Sequence, residues 1–529
     1  MIALTKTKLF LIIKCYIKHF LYNTHTIIIT TISIISGGYL MEWKKLLTQT
    51  RLGAEEKEDE VFNDYYISPF ERDYEKIVSS AAFRRLQDKT QVFPLAKSDF
   101  VRTRLTHSIE VSTIAKQLGI MCFQNTSSYQ HLPIDSDELS DIKLSSKRIG
   151  DIEAILSCTG LLHDLGNPPF GHVGEDIIRE WFKNNLNKLY LNKNTDEQPI
   201  IKLLNQKQIA DLENFEGNAQ ALRILLKARH QSEINLPFSI ISALIKYPTL
   251  SDELGTETIR HKIGCYQSEE KTFLRIAKEV GTMNSEHNVV RHPLAYLVEA
   301  ADDIAYMTAD LEDAVKSGLI SINDLLDFLY DEYEQLGKNM HESQPHINRT
   351  KEIIDHLASL NKQEHDSAKA MNQWVTYLRK WLMYVVCWRF SRSYDQILQG
   401  NFDNDLFYNN NHSLTVKLLK KVMVKFVFNS RIITEPEISA QIILNFLLDK
   451  FVPAVIRFDN NGTMSTQDKK VMTLISSNYI NDYKKAKKID NITDESELLY
   501  RRILIATDFI SGMTDGYAKT LYKKMSGLE

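Results

Sequence analysis

The residues best suited to chemistry fall in one run, His163-Asp164-Leu-Gly-Asn-Pro-Pro-Phe-Gly-His172-Val-Gly-Glu175. Two imidazoles and two carboxylates flank a segment that cannot continue a helix, because proline lacks the amide donor and crowds the preceding turn. Upstream lies Arg102-Thr-Arg104-Leu-Thr-His107-Ser, and downstream Glu299-Ala-Ala-Asp302-Asp303-Ile-Ala-Tyr306-Met-Thr-Ala-Asp310. Together they offer His, His-Asp and Asp. Such a set is of borderline hardness and suits Mn²⁺, Mg²⁺ or Fe²⁺ at least as well as Zn²⁺, whose structural sites prefer thiolates. Four protein ligands in an octahedral shell leave room for a water and a substrate oxygen, the arrangement of metal-assisted hydrolysis.

These residues need elements to hold them. His163 and Asp164 follow the apolar stretch from Ile152 to Leu162 and so close a buried helix, where an ionised carboxylate is costly unless paired or metal-bound. Taken alone, a His-Asp pair there is better read as a hydrogen-bonded helix stop; its company changes the reading. Past the prolines, His172 and Glu175 are three apart and share a face if a new helix begins there. An imidazole oriented by a carboxylate suits general acid–base work. Asp302, Tyr306 and Asp310 recur at four-residue steps on one helical face, while Ile304, Ala305, Met307 and Leu311 make the rest of that helix apolar. For that helix alone, an acidic solvated stripe is the competing reading.

The wider chain reads as all-α. Apolar residues recur at three- and four-residue spacing over 149–162, 220–228, 240–246, 294–314, 374–389, 414–427 and 438–451. Strand-type alternation is scarce, and Pro168-Pro169, Pro293 and Pro453 are expected between helices. The polar stretches 124–147, 183–211 and 337–366 read as loops or short insertions. No 20- to 50-residue repeat is present, which excludes a solenoid. With 529 residues, 43% of them hydrophobic, the chain has ample apolar material for a core. Its formal charge is −4, and residues 1–40 hold four lysines and no acid, so the remainder carries about −8. A uniformly basic nucleic-acid binder is excluded, although local basic patches are not. Cys15, Cys122, Cys158, Cys265 and Cys387 show no CxxC spacing, which argues against a disulfide framework or thiolate zinc site and for a reducing compartment.

Residues 1–40 differ from the rest. Their apolar tracts, Leu9–Ile13 and Ile27–Ile35, are short of the roughly 18–20 residues of a membrane helix, and the first ends in Lys rather than a cleavage site. Gly37-Gly38 just upstream of Met41 is what a translated ribosome-binding site would encode, so Met41 is the expected native start, with an N-terminal anchor as the alternative. The expected location is the cytoplasm, without a membrane. Three divisions follow: the atypical leader 1–40, a catalytic core over 41–330, and a C-terminal helical region over 331–529 packed on it.

With these segments in hand, the chain resembles the HD-domain phosphohydrolases and, within them, the deoxyguanosine triphosphate triphosphohydrolase family. Besides the runs above, the likeness rests on Ser80-Ala-Ala-Phe-Arg-Arg-Leu-Gln-Asp-Lys-Thr-Gln91-Val92-Phe-Pro-Leu, Phe215-Glu-Gly-Asn218-Ala-Gln220, Arg291-His-Pro-Leu-Ala-Tyr and Ile510-Ser-Gly-Met-Thr-Asp515. It covers about Leu52 to Asp313 and the run near the C-terminus. The resemblance implies an HD-domain helical core and hydrolysis of a deoxynucleoside triphosphate at the α-phosphorus, giving deoxynucleoside and inorganic triphosphate. It implies His107, His163, Asp164 and Asp302 as metal ligands, for Mn²⁺ or Mg²⁺ first, with Fe²⁺, Ni²⁺ or Zn²⁺ as further candidates. Asp302 rather than Asp303 keeps the family's register to Tyr306 and Asp310. It implies His172 as the acid–base residue with Glu175 orienting it, and Arg104 against the phosphate. Gln91 and Asp310 would meet the sugar 3′-hydroxyl, and Tyr306 with Val92 would pack on the deoxyribose. Asn218, Lys246 and Tyr247 would serve phosphate or base; a helix cap and a solvated lysine are the plain readings of Asn218 and Lys246. Arg501, Arg502 and 465–470 are candidates for guanine recognition, so preference for dGTP alone and a broader dNTPase both stand. A homo-oligomer, with a hexamer as one form, and single-stranded nucleic acid are the implied partners.

Two other readings compete. One is an HD phosphohydrolase acting on another nucleotide, such as a monophosphate or guanosine tetraphosphate, against which Gln91, Tyr306 and Asp310 speak. The other is a non-enzymatic nucleotide sensor or single-stranded nucleic-acid binder, which would not need both the ligand set and His172.

Overall fold

Helix starts follow their local signals. α1 (Pro69–Ser79) opens on proline at its first position and a capping box between Ser68 and Glu71. The computed structural model describes residues 39–53, 68–92, 101–123, 146–191, 198–227, 234–256, 258–337, 344–408, 413–428, 430–460 and 464–528. Among these the chain is all-α, and β-type pairing is confined to isolated bridges such as Thr90 with Thr103. The expectations for the leader lie largely on 1–38, outside the described residues.

α2 (Arg104–Phe123) and α3 (Ser146–Leu162) pack backbone to backbone. A β-carbon on Gly160 would fall 2.5 Å from the Ser112 Cα, and one on Gly119 would fall 2.6 Å from Leu156 Cδ1. This approach brings His107, on the first turn of α2, beside His163, which follows α3. The chain then passes the two prolines and turns through Phe170 and Gly171, both left-handed with φ of 64° and 62°. α4 (Gly171–Asn185) starts there, as the proline-bounded run predicts. α5 (Gly217–Lys227) and α6 (Phe238–Leu244) follow. α7 (Pro293–Lys316) is capped by His292, packs on α2, α3 and α6, and carries Asp302.

The later chain adds α8 (Gln344–Gln363), α9 (Ser367–Arg392), α10 (Ser413–Val422) running into a π-helical turn Met423–Phe428, α11 (Arg431–Arg457), α12 (Glu495–Ser511) and α13 (Asp515–Ser526). Two apolar cores form. One joins α1–α3 with α6, α7, α9 and α10; the other joins α4 with α11, α12 and α13.

Three expectations need correction. The 337–366 stretch contains α8, a 20-residue helix, because Ile353, Ile354, Leu357 and Leu360 supply a buried stripe that the surrounding polar residues mask. Pro453, like Pro436, lies inside α11. The hydrogen bond lost at Pro453 is offset by complete burial of Phe451, Val452, Ala454 and Val455. The 183–211 stretch carries the end of α4 and most of a helix, Gln206–Glu213. α11 is long and apolar enough by composition to cross a membrane, and half of its most apolar window is buried inside the protein.

Candidate active site

His163 sits one residue past α3, and its Nδ1 donates to the Gly160 carbonyl at 2.8 Å. That bond fixes the tautomer and leaves the lone pair on Nε2. Nε2 is buried, has no hydrogen-bond partner, and lies 3.5 Å from Asp164 Oδ2 and 3.6 Å from Asp302 Oδ1. His107 brings its own Nε2 within 3.0 Å of the same Asp302 oxygen. Both histidines meet Asp302, and neither pairs with Asp303 among the described residues. His107, His163 and Asp164 each offer a donor atom within 4.8 Å of the others. A lone pair aimed at two carboxylates is repulsive, and a shared cation would reverse the sign. The donor set therefore fits a divalent metal ion.

The surroundings keep these acids ionised. Burial alone would raise Asp164, but the Arg104 guanidinium and the two imidazoles outweigh it and bring the carboxyl down to about 2. Asp302 is likewise held well below the usual range, because His163 and His107 outweigh its burial. Burial would lower His107, yet Asp302 raises it. Arg104 Nη1 donates to Asp164 Oδ2 and Asn167 Nδ2 to Asp164 Oδ1, each at 2.5 Å, which fixes the carboxylate plane.

Across the turn, His172 stands on the first turn of α4 with its side chain 78% open to solvent, and its Nδ1 is 3.2 Å from Glu175 Oε2. A carboxylate only accepts, so Nδ1 carries the proton and Nε2 is free for chemistry. Glu175 is buried; its Oε1 accepts from the Gly217 amide at 2.9 Å and its Oε2 from Arg179 at 3.1 Å. Glycine is required at 217, since a β-carbon would fall 2.0 Å from Asn167 Oδ1 and 2.6 Å from Glu175 Oε1. The hydrogen bond to Glu175 raises the His172 pKa. Burial would raise Glu175, but His172, Lys262 and Arg179 hold it low.

Both groups open onto one cavity of about 540 Å³. Its wall includes Gln91, Val92, Arg104, Asn218, Lys246, Tyr247 and Tyr306, together with His163, Asp164, Asp302 and His172. His107, Glu175 and Asp310 stand behind that wall, buried. Gln91 Oε1 and Asp310 Oδ2 are buried without a partner, and burial pushes the Asp310 carboxyl up to about 8. Asn218 is the second residue of α5 and donates to Glu216 Oε1 at 2.9 Å.

The cavity also contains residues that sequence reasoning missed. Lys262 lies 3.2 Å from Glu216 and, with Lys246, flanks the Tyr247 ring. It belongs to a non-periodic segment, and the one signal was Gly264, where a β-carbon would strike the Tyr247 carbonyl at 1.7 Å. Phe428 stacks on Tyr306, 6.0 Å between centroids and 12° between planes, and Ile433, Pro436 and Glu437 also line the cavity. The candidates that the resemblance offers for base recognition lie elsewhere in the chain. Arg501 pairs with Glu497 and Asp490, Arg502 is buried against the Phe458 and Asp459 carbonyls, and Ser465–Lys470 forms the capped start of a short helix. None of them lines the cavity.

No family model matches the chain. It is similar to curated proteins along almost its whole length. A deoxyguanosinetriphosphate triphosphohydrolase-like protein of Listeria innocua is 40% identical over 500 residues, covering 92% of this chain and 100% of the relative. One of the same description from Synechocystis is 32% identical, over 92% and 100%. A deoxyguanosinetriphosphate triphosphohydrolase of Enterobacter is 30% identical, over 87% of this chain and 94% of the relative.

Proposed function

This chain belongs to the deoxyguanosine triphosphate triphosphohydrolase family, and we propose that it hydrolyses dGTP, or dNTPs more broadly, to deoxynucleoside and inorganic triphosphate. The observation that carries this reading is the meeting, on one cavity, of an unpartnered His163 Nε2 between two carboxylates with the His172–Glu175 pair. His107, His163, Asp164 and Asp302 would hold a divalent cation, Mn²⁺ or Mg²⁺. When bound, such an ion supplies Lewis-acid polarisation of a phosphate oxygen and lowers the pKa of water.

The chain's own residues do the rest. Arg104, Lys246 and Lys262 offer cationic donors to the polyphosphate, each now held by a carboxylate that phosphate oxygens would come to share. As the water oxygen bonds to the α-phosphorus, the bond to O5′ breaks, and His172 gives its Nε2 proton to the leaving 5′-oxygen; the proton shed by the water passes to solvent, from which His172 is reprotonated. Glu175 keeps the ring aimed and its protonated form favoured. Gln91 on the cavity wall would meet the 3′-hydroxyl, and Asp310, buried behind that wall with Oδ2 unpartnered, would support the same contact. Tyr306, stacked on Phe428, would offer the sugar a flat wall, and a deoxyribose packed against it would exclude a 2′-hydroxyl.

Base choice we assign to the Phe428, Ile433, Pro436 and Glu437 end. Glu437 forms no ion pair among the described residues. A carboxylate accepts two hydrogen bonds side by side, which matches the paired N–H donors of guanine and not the donor–acceptor edge of adenine. We place the protein in the cytoplasm. Purified protein with Mn²⁺ should convert dGTP to deoxyguanosine and triphosphate, and all four dNTPs, alone and in pairs, should be compared. Glu437→Gln should narrow the preference for dGTP. Pyrophosphate or orthophosphate as the first product would overturn the reaction; an unchanged base preference in Glu437→Gln would overturn the base assignment alone.

A further inference from the structure

The run Ile510-Ser-Gly-Met-Thr-Asp515 is a chemical motif that the proposed reaction does not use. It spans the end of α12 and the first residue of α13. Asp515 is 2% exposed, and its carboxylate binds two distant segments at once. Oδ2 accepts from the Thr90 amide at 2.9 Å and from the Thr90 hydroxyl, while Oδ1 accepts from the Phe170 amide at 2.9 Å. Thr90 directly precedes Gln91. Phe170 directly precedes Gly171 and His172, and it holds the left-handed backbone that starts α4.

A second tie runs alongside. Lys89, 3% exposed, donates to the Asn167 carbonyl at 2.5 Å and to the Ser511 carbonyl at 2.8 Å, while its own carbonyl accepts from the Arg104 amide at 3.1 Å. The turn between α12 and α13 is fitted closely against its neighbours. A β-carbon on Gly512 would fall 2.4 Å from the Tyr479 hydroxyl, and one on Gly516 would fall 2.7 Å from Asp88 Oδ2. The sugar-side segment and the acid–base turn touch a common reference, and that reference is one carboxylate from the C-terminal helices.

We infer that Asp515 is a positioning residue that sets the placement of Gln91 relative to His172. The inference rests on the proposed triphosphohydrolase reading for the roles of those two residues. Thr90 and Phe170 present backbone N–H groups that need an acceptor when buried. The first turn of α13 favours a carboxylate there, through its helix dipole. Without Asp515 both segments keep only the Lys89 tie and gain room to shift, and a displacement of about 1 Å at a reacting group costs on the order of 100-fold in rate.

The test uses the full chain loaded with Mn²⁺. Asp515→Ala should retain its circular dichroism spectrum and bound metal, lose about 100-fold in kcat with dGTP, show a raised KM and discriminate less between dGTP and GTP. Thr90→Val should move the same quantities less, and Thr90→Ser should behave as wild type. A lost folded fraction lowers apparent kcat alone, so a fall in kcat with KM and discrimination unchanged would overturn the inference, as would unchanged kinetics. Should Asp515→Ala not fold, Asp515→Asn and Thr90→Val decide on the same criteria. Should the wild type not release triphosphate from dGTP, the functional reading fails separately. Hydrogen exchange then decides: faster exchange over 88–92 and 165–172 in the Asp515 variant supports the positioning role, and unchanged exchange refutes it.

Discussion

Replacing Glu175 by glutamine isolates the proton-handling half of the site. The carboxylate is buried and accepts from the Gly217 amide, Arg179 and His172. An amide of the same shape can serve only one side. If its oxygen faces Gly217, its NH₂ opposes the His172 and Arg179 donors; if it flips, the Gly217 amide is orphaned. The chemical loss is one charge-assisted hydrogen bond on the imidazole, worth about 1.5–3 kcal/mol. At about 1.4 kcal/mol per decade this predicts a roughly 10- to 150-fold fall in kcat. Solvent screening of the open His172 side chain weights the lower part of that range. The sign of the pH effect is also defined. Glu175 raises the His172 pKa, and the acid form works below that pKa, so Glu175→Gln should move the alkaline limb of kcat/KM to lower pH. Bound metal should not change. Steady-state rates across pH, with metal content of the same samples, form the assay. A kcat within twofold of wild type and an unmoved alkaline limb would refute the assignment of His172 and Glu175.

Asp302→Ala should lose bound Mn²⁺ in elemental analysis while Asp303→Ala keeps it, because His107 and His163 both meet Asp302; the opposite result would move the ligand by one residue. Tyr306→Ala should narrow the dGTP-to-GTP ratio of kcat/KM by about 10-fold in competition assays, since it removes the wall stacked on Phe428. Gly166→Ala should lower the melting temperature, with a cost of about 1–3 kcal/mol. Its β-carbon would lie 2.1 Å from the Gly217 carbonyl and 2.2 Å from the Ala221 amide, both backbone. Unchanged melting would contradict that contact.

The legible parts of the molecule are those whose partners are close in sequence. His163 bonds Gly160, Asn167 bonds Asp164 and His172 bonds Glu175, all three residues apart, so composition and spacing suffice. The long apolar period of α7 likewise puts Asp302, Tyr306 and Asp310 in register. What was not legible depends on packing between remote segments. Phe428, Ile433 and Pro436 carry no chemical signature; Phe428 reaches the cavity because the π-helical turn packs on α7, and Ile433 and Pro436 because α11 sits against α4 and α12. Glu437 lies just outside the apolar period over 438–451 and belongs to no motif. Lys262 lies outside any periodic element, and α8 was hidden by polar residues around a narrow buried stripe. Arg501 and Arg502 stand out by type, but Arg501 is paired with Glu497 and Arg502 is buried against the Phe458 carbonyl, away from the cavity. Asp515 was visible as a motif, while its partners, Thr90 and Phe170, lie in the first third of the chain.

The central claim is attack of water on the α-phosphorus with departure of an intact nucleoside, and isotope labelling reads it directly. Wild-type protein turning over dGTP in H₂¹⁸O with Mn²⁺ should place one ¹⁸O in the inorganic triphosphate and none in deoxyguanosine, by mass spectrometry. Label in deoxyguanosine, or label in released pyrophosphate or orthophosphate with dGMP or dGDP as co-product, would contradict it.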